Sequence, residues 1–424
     1  MREVFEIEKS FIQNKSQSSL QRLINIFVFF LAFPCINILG NSITFYIFII
    51  LIIREGLFWQ KPYRAKALLF SFMLICFLST LFAPYDKMET PPGFFPKMQL
   101  VIQFVYWMLL ASFFIIYKKV LDWVQISKAS LFGFLAATMG FYFLKIEVGN
   151  ALGEFSTDIT RNAFVFNVLA TTPVSCIYVL KKFKMKGIYA LLIASIASMF
   201  FSLGRSGSII ILLESFLILS IFSRVWNNVI RFSIIPVIVV FILSESSFVQ
   251  PALQVLADKT ESINPRFANL IRGEQDGDLT MDKSWLLRKL MITKSFEVIK
   301  EYPLLGVGVK NFVYYESDLD QLYSRFDRLA YRGKDYLNSR SSHNSYILVM
   351  SEMGLLGFAI LIALLLIPLV KISKILLFGD QIKMSQLPLI GLLGISMHFY
   401  AIASIYGAVT WFIIGISIAA SIDD

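Results

Sequence analysis

The stretch SSHNSYILVMSEMGLLG at residues 341–357 decides how this chain is organised. A long and mostly polar region ends at its first serines, and a long apolar segment follows. The stretch carries His343, one of only two histidines in the protein, and Gly354 and Gly357 would let another helix come close. Because histidine exchanges a proton near neutral pH, the sequence predicts a proton-exchanging group at the edge of a membrane helix.

The composition places the chain among membrane proteins. Hydrophobic residues make up 57% of the 424 residues and charged residues only 16%, whereas soluble domains contain about 25% charged residues. The predicted fold is an all-α polytopic membrane protein with about 12 transmembrane helices. Several apolar runs are short, so tight turns are expected around Gly40-Asn41 and at residues 204–207. The runs lie at 23–40, 42–53, 66–83, 99–117, 129–145, 163–180, 187–203, 208–222, 232–249, 343–369, 387–403 and 405–421.

The positive charges predict how these helices are oriented. Of the 39 Lys and Arg residues, twenty lie in one set of alternate loops and five in the opposite short loops. Cytoplasmic loops carry an excess of Lys and Arg, so both termini are predicted to be cytoplasmic. The predicted divisions are a cytoplasmic N-terminus (1–22), spans one to nine (23–249), a large outer loop with amphipathic helices (250–342), and spans ten to twelve with a short cytoplasmic C-terminus (343–424).

The net charge of +10 would suit a protein that binds nucleic acid. The basic residues lie between the apolar runs, however, where membrane topology accounts for them. Cys35, Cys76 and Cys176 fall within apolar runs, which predicts small core residues rather than disulfides or metal ligands. The sequence therefore predicts no nucleic-acid partner and no metal site.

The outer loop contains one clear helical pattern, between Ser284 and Tyr302. Its apolar residues recur at helical spacing, and Arg288 shares their face. An arginine in an apolar stripe is either half-buried against a partner or turned toward the membrane surface to meet an anion. Pro303 and Gly306 follow as stop signals. The stripe consists of Trp285, Ile292, Phe296 and Ile299.

His343 is the first candidate for chemistry. Ser341 and Ser342 are expected to cap the following helix, which puts the histidine at a helix N-terminus. The helix dipole favours the neutral ring that a general base requires. Asn344 could orient this ring or a substrate, and the alternative is a histidine in water with no catalytic role. The other histidine, His398, is expected to be buried and hydrogen-bonded.

The motif Gly204-Arg205-Ser206-Gly207 places an arginine between two apolar runs on the outer side. An arginine costs a few kcal/mol in hydrocarbon, so it must reach an interface, a carboxylate or a bound anion. A guanidinium can bind phosphate through two hydrogen bonds, and the flanking glycines let the backbone approach. The alternative is an arginine that only extends to the membrane surface.

Other polar residues are weaker candidates. Arg266, Arg272 and Arg340 belong to the arginine-rich outer loop, where phosphate binding and a salt-bridged surface explain them equally well. Glu214 and Glu352 lie within apolar runs, so each needs a partner or a polar cavity. Both glutamates are expected to make structural polar contacts.

Three motifs, in this order, resemble the O-antigen ligase and polymerase superfamily. They are GRSG at 204–207, WLLR at 285–288 leading into PLLGVGVKNF at 303–312, and His343-Asn344 with Gly354 and Gly357. The predicted topology, with a large outer loop between spans nine and ten, is similar to that family as well. The resemblance covers about residues 160–360 of the chain.

The resemblance implies an inverting, metal-independent glycosyltransferase of the C-type membrane architecture, with no cofactor. Its donor would be an undecaprenyl-diphosphate-linked glycan in the membrane lipid, and its active site would face the periplasm from the bacterial inner membrane. Arg205 and Arg288 would bind the diphosphate, and His343 would take the proton of the acceptor hydroxyl. The pattern favours a ligase of lipopolysaccharide biosynthesis, whose acceptor is the lipid A core, and a polymerase would extend the growing glycan instead.

A carrier or flippase of lipid-linked sugars is the competing class of function, because membrane carriers also have many spans with charged residues inside them. It predicts tolerance to change at His343 and sensitivity at Glu214 or Glu352. The transferase predicts the reverse, that replacing His343, Arg205 or Arg288 abolishes the product.

Overall fold

The computed structural model describes residues 2–33, 37–38, 41–55, 64–88, 93–142, 157–202, 205–222, 283–315, 341–378, 383–400 and 403–422. In chain order the helices of this part are α1 (Arg2–Ala32), α2 (Ile43–Glu55), α3 (Arg64–Leu81), α4 (Phe94–Ile116), α5 (Trp123–Tyr142), α6 (Thr157–Phe201), α7 (Arg205–Phe222), α8 (Lys283–Glu301), α9 (Ser345–Phe378), α10 (Pro388–His398) and α11 (Ala408–Ser421). Two short strands, β1 (Asn37–Ile38) and β2 (Asn41–Ser42), stand between α1 and α2. Single 3-10 turns lie at Tyr85–Lys87, Phe312–Tyr314 and Met384–Gln386.

Several of these helices have the length and composition of membrane spans. Three stretches are long and apolar enough to cross: Lys97–Ile116, Phe164–Phe201 and Ser345–Ile375. Shorter apolar helices lie at Ala65–Leu81, Gly207–Phe222 and Ala408–Ser421. The predicted helical membrane character is confirmed. The number of about 12 spans and the layout of the outer loop stay predictions, and the run at 232–249 lies outside the described residues.

α6 folds back on itself at Lys184, whose backbone leaves the helical region with φ 56° and ψ −152°. The hydroxyls of Thr172 and Ser195 are hydrogen-bonded at 2.9 Å. In an unbroken helix these two residues would stand about 35 Å apart, at 1.5 Å per residue. The two arms of α6 are therefore antiparallel, and they match the separate runs predicted at 163–180 and 187–203.

Of the two predicted tight turns, the one around Gly40-Asn41 is present, and the one at 204–207 is wrong in its position because residues 205–207 belong to α7. β1 and β2 pair antiparallel with Ile38 opposite Asn41, so the chain reverses between these residues. At the second turn, α6 ends at Phe201 and α7 begins at Arg205. Arg205 is therefore the first residue of a helix, in the segment that was expected to be a hairpin loop.

An aromatic cluster joins α3, α4 and α11. Trp411 is fully buried, and its ring centroid lies 5.8 Å from those of Phe72 and Phe104. Gly415 permits close packing on α4, since a Cβ there would lie 2.6 Å from the Cα of Ala111. These three helices therefore form one packed unit.

The described cysteines are buried thiols, as predicted for small core residues. Cys76 and Cys176 are both 0% exposed and carry no disulfide. The Sγ of Cys76 lies 3.7 Å from the Sδ of Met353, so it joins α3 to α9. Cys35 lies outside the described residues.

Candidate active site

α9 is interrupted at Gly354, where the backbone takes φ 67° and ψ −171°. The next two residues bond outside the helix. The N–H of Leu355 donates to the Pro303 carbonyl at 2.7 Å, and that of Leu356 donates to the Leu304 carbonyl at 3.4 Å. A Cβ on Gly354 would lie 2.1 Å from the Leu304 carbonyl oxygen, so only glycine fits this break.

The same loop also bonds to the carbonyls that the break leaves without a helical partner. The Val307 N–H donates to the Ser351 carbonyl at 2.9 Å, and the Gly308 N–H donates to the Glu352 carbonyl at 2.8 Å. In a regular helix these carbonyls would accept N–H groups four residues further on. Residues 303–312, here called the glycine loop, therefore replace two hydrogen bonds of α9.

The glycine loop accounts for the glycines of the motif. Gly306 and Gly308 have positive φ values of 66° and 92°, and a Cβ on Gly306 would lie 2.4 Å from a carbonyl oxygen of α9. The prediction that Gly354 lets another helix come close is wrong. Backbone of the glycine loop, and not a helix, fills the space beside Gly354. A Cβ on Gly357 would lie 3.6 Å from Ile75 of α3, which agrees with close helix packing.

The other side of the glycine loop packs on the end of α3. The Val309 N–H donates to Oγ1 of Thr80 at 3.2 Å, and Nδ2 of Asn311 donates to the Val307 carbonyl at 2.9 Å. Burial raises the pKa of Tyr85, and a hydrogen bond from the Asn311 side chain opposes that rise. The loop is thus held between α3 and α9.

Lys310 and Glu352 are the charged pair of this region. Lys310 has a left-handed backbone, with φ 57°, and donates its N–H to Oε2 of Glu352 at 2.9 Å. Glu352 is 2% exposed, and this bond is the structural polar contact predicted for it. Burial lowers the pKa of Lys310, while the Glu352 charge acts in the opposite direction. The Lys310 ammonium lies 5.3 Å from the ring centroid of Tyr406.

His343 is half-buried and stands two residues before α9, with a left-handed φ of 52°. Oδ1 of Asn344 accepts the N–H groups of Tyr346 and Ile347 at 3.0 Å each, so Asn344 caps α9. The predicted serine cap is wrong, because the serines come too early to reach these N–H groups. Oγ of Ser342 donates instead to the Asn344 carbonyl at 2.8 Å.

The start of α9 packs on the turn that precedes α11. Oγ of Ser345 accepts the N–H of Ser404 at 2.9 Å. The same turn carries Tyr406, and the Lys310 ammonium lies over the ring of Tyr406. His343 and Lys310 therefore occupy the same end of the bundle.

A second lysine, Lys97, lies at this end. It is in the first turn of α4, is 2% exposed, and its Nζ is 3.6 Å from the ring centroid of Tyr85. The Tyr85 hydroxyl donates to the Thr80 carbonyl at 2.5 Å, which holds the ring on the end of α3. Neither Lys97 nor Lys310 is among the residues predicted for chemistry. In the sequence, Lys97 could have been noticed because it lies next to an apolar run on the side of the membrane where few lysines are expected.

For the two arginines predicted to bind the diphosphate, the structure describes the backbone but not the side chain. Arg205 begins α7 and Arg288 lies in α8, but the described side chains include neither of them, nor that of Ser206. Three further arginines lie outside the described residues: Arg266, Arg272 and Arg340. The convergence of Arg205 and Arg288 with His343 stays a prediction.

The helix predicted between Ser284 and Tyr302 is confirmed by α8, which packs on α9. Its buried face carries Met291, Ser295 and Val298, whereas Phe296 of the predicted stripe is 56% exposed. Apolar residues recur at helical spacing on two faces of α8. Periodicity alone therefore could not select the face that packs on protein.

Glu214 and His398 lie between α6, α7 and α10. Glu214 is 1% exposed and packs against Gly394, where a Cβ would lie 1.7 Å from Oε1 of the glutamate. Within the part of the chain that the structure describes, its carboxylate oxygens have no hydrogen-bond partner, so the predicted polar contact is not present there. His398 is 2% exposed, as predicted, and its ring lies 6.1 Å from that of Phe166.

Residues 190–362 match the model of a protein family described as O-antigen ligase. This match confirms the resemblance drawn from the three motifs. Its range contains His343, the glycine loop, Arg205 and Arg288, but it does not reach Lys97. No curated protein sequence matches the chain.

Proposed function

We propose that this chain, whose residues 190–362 form an O-antigen ligase-type domain, transfers a glycan from an undecaprenyl-diphosphate carrier to a sugar hydroxyl. The transfer would take place at the periplasmic face of the bacterial inner membrane. The position of His343 carries the proposal, because it lies directly before the capped start of α9 in a left-handed conformation. A non-glycine residue in this conformation costs about 1–3 kcal/mol and is typical of functional sites.

His343 would act as the general base. The adjacent helix N-terminus favours the neutral imidazole, which accepts the proton of the acceptor hydroxyl. The acceptor oxygen forms a bond to the anomeric carbon while the bond from that carbon to the diphosphate oxygen breaks. The electron pair of the broken bond leaves with undecaprenyl diphosphate. Attack opposite to the leaving group inverts the anomeric centre.

Arg205 and Arg288 would stabilise the leaving diphosphate. A guanidinium forms paired hydrogen bonds with phosphate oxygens, and fixed positive charge lowers the barrier where negative charge develops. Ser206 would support this contact from the first turn of α7. The remaining arginines of the outer loop, Arg266, Arg272 and Arg340, are weaker candidates for the same role.

Among the activities of this superfamily we favour the ligase, with the lipid A core as acceptor. The family description and the spacing of His343-Asn344 to Gly354 and Gly357 support this choice. A polymerase would use the same donor and base but would transfer the glycan to another repeat unit. A carrier would move the lipid-linked glycan and would need no base.

A deletion strain complemented with variants tests the proposal, by a lipopolysaccharide gel and an assay of lipid-linked glycan. We expect the wild type to restore long polymer on the surface core and His343→Asn to leave the polymer on its lipid carrier. Asparagine tolerates the left-handed backbone, so this variant removes the base with little backbone strain. Immunoblots of the membrane fraction check that each variant accumulates.

Lys119→Asn is the matched control, because Lys119 is exposed and follows the opposite end of α4. It should restore wild-type polymer. Full transfer by His343→Asn would overturn the assignment of the base. A core with a single repeat unit in the deletion strain would identify a polymerase, and a normal ladder with both the wild type and His343→Asn would favour the carrier.

A further inference from the structure

Two lysines at the His343 end of the bundle are removed from water without a carboxylate beside them. Lys97 is 2% exposed and Lys310 is half-buried. Among the described residues, no carboxylate oxygen lies within 4.0 Å of either ammonium. Burying a cation is costly unless an anion or hydrogen bonds replace its water, so both lysines indicate a site for an anion.

Two sets of contacts connect the lysines. Lys97 lies over the ring of Tyr85, and the Tyr85 side chain is hydrogen-bonded to Asn311, the neighbour of Lys310. The second set runs through Tyr406, which lies under the Lys310 ammonium. The Tyr406 ring packs at a centroid distance of 4.6 Å on a phenylalanine of α4, about two turns along the helix from Lys97.

Pairing with Glu352 is the simplest alternative explanation for Lys310. Oε2 of Glu352 already accepts the Lys310 backbone N–H at 2.9 Å, and the ammonium lies against Tyr406. Burial lowers the pKa of Lys310 even though the Glu352 charge acts to raise it. The carboxylate therefore does not offset the burial of this cation, and no described carboxylate oxygen lies within 4.0 Å of the Lys97 ammonium either.

We propose that Lys97 and Lys310 together bind the diphosphate group of the lipid-linked donor. This inference rests on the proposed function and adds two cations to the arginines implied by the family resemblance. The left-handed backbone and the bond to Glu352 hold Lys310 in a set position. The rings of Tyr85 and Tyr406, 3.6 and 5.3 Å from the ammonium groups, stabilise these charges before the donor binds.

The test is direct binding of undecaprenyl diphosphate to the purified full-length protein, with no glycan transfer needed. Lys97→Met removes one charge at similar length, and Lys310→Asn removes the other with a residue that tolerates left-handed backbone. Each variant should bind about tenfold more weakly, the loss expected for one charge-assisted hydrogen bond. Lys119→Met is the matched control and should stay within about twofold of the wild type.

Inorganic diphosphate and undecaprenyl monophosphate are the comparison ligands. The proposal requires undecaprenyl diphosphate to bind most tightly, and inorganic diphosphate to compete only at higher concentration. Equal affinity for inorganic diphosphate, with the same lysine dependence, would assign the site to a soluble anion and overturn the assignment to the donor.

A measurement on the wild type covers the case of a variant that does not fold. Undecaprenyl diphosphate should protect Lys310, but not Lys119, from an amine-reactive reagent. Unchanged binding in both variants, or labelling of Lys310 that the lipid does not alter, would overturn the site even if glycan transfer is normal. Lysine-dependent binding by a protein that transfers no glycan would leave the site in place and overturn the proposed function.

Discussion

Lys310 donates its backbone N–H to Oε2 of Glu352 at 2.9 Å, and the Glu352 carbonyl accepts the N–H of Gly308 at 2.8 Å. One residue of α9 thus holds two positions of the glycine loop. Gly354 interrupts the helix two residues later, and His343 stands just before its start. The loop and the proposed base are therefore positioned by the same short piece of helix.

Glu352→Gln should keep the glycine loop in place, because an amide oxygen can accept the Lys310 N–H as the carboxylate does. Glu352→Leu removes the acceptor and leaves a buried N–H unsatisfied, at a cost of about 1–3 kcal/mol. The thermal unfolding temperature in detergent should fall clearly for the leucine variant and little for the glutamine variant. Equal losses would show that the charge of Glu352, and not its acceptor oxygen, stabilises the loop.

Gly354→Ala should destabilise the protein and reduce glycan transfer. At φ 67° and ψ −171°, a region open mainly to glycine, an alanine costs about 1–3 kcal/mol, and its Cβ would lie 2.1 Å from the Leu304 carbonyl oxygen. Gly407→Ser is the control, because the nearest atom, the Ser404 carbonyl oxygen, is 3.4 Å away and serine is a good N-cap. An unfolding temperature at the wild-type level in Gly354→Ala would contradict the interruption of α9.

The fold-back of α6 predicts a cross-link between its arms. In a background with the native cysteines replaced by alanine, Thr172→Cys with Ser195→Cys should form a disulfide under mild oxidation, since the native hydroxyls are 2.9 Å apart. After proteolysis near Lys184, the disulfide should keep the two fragments of the double variant together, so they should run as one band on a non-reducing gel. Each single cysteine variant is the control, and absence of the cross-link would indicate a continuous helix, in which these residues lie about 35 Å apart.

Glu301 should make the end of the glycine loop sensitive to acid. Its carboxylate accepts the hydroxyls of Tyr315 and Tyr302 and lies 3.3 Å from Nζ of Lys87. The hydrogen bond from Tyr315 is the main cause that lowers the pKa of Glu301. A carboxylate with a lowered folded pKa stabilises the protein above its unfolded pKa, and this contribution is lost as the pH falls through the folded value.

Thermal unfolding measured from about pH 7 to about pH 3 covers the window in which this contribution is lost. Tyr315→Phe removes the main hydrogen bond to Glu301, so this variant should be less stable than the wild type at neutral pH. On acidification it should lose less stability than the wild type does. A parallel pH dependence in the two proteins would show that Glu301 does not contribute.

Local sequence determined where several helices of this protein lie, although α1 (Arg2–Ala32) begins well before the run predicted at 23–40. Apolar runs and helical spacing located α8 to within a residue at each end, separated the two arms of α6, and marked the start of α9 beside His343. These features could be predicted because hydrophobic burial depends on the composition of neighbouring residues, which the sequence displays directly. The order of the motifs also identified the family that residues 190–362 match.

Only the tertiary structure decided which polar groups meet. The Val309 N–H reaches Thr80, 229 positions away, and the Lys310 N–H reaches Glu352, 42 positions away. From its sequence position Lys97 resembles a topology signal, and its burial against Tyr85 depends on how α3 and α4 pack. A hydrogen bond requires a defined distance and direction between two groups, and these are set only when distant segments pack together. Hydrophobic burial has no such directional requirement, so local sequence predicts the helices but not the contacts between their polar groups.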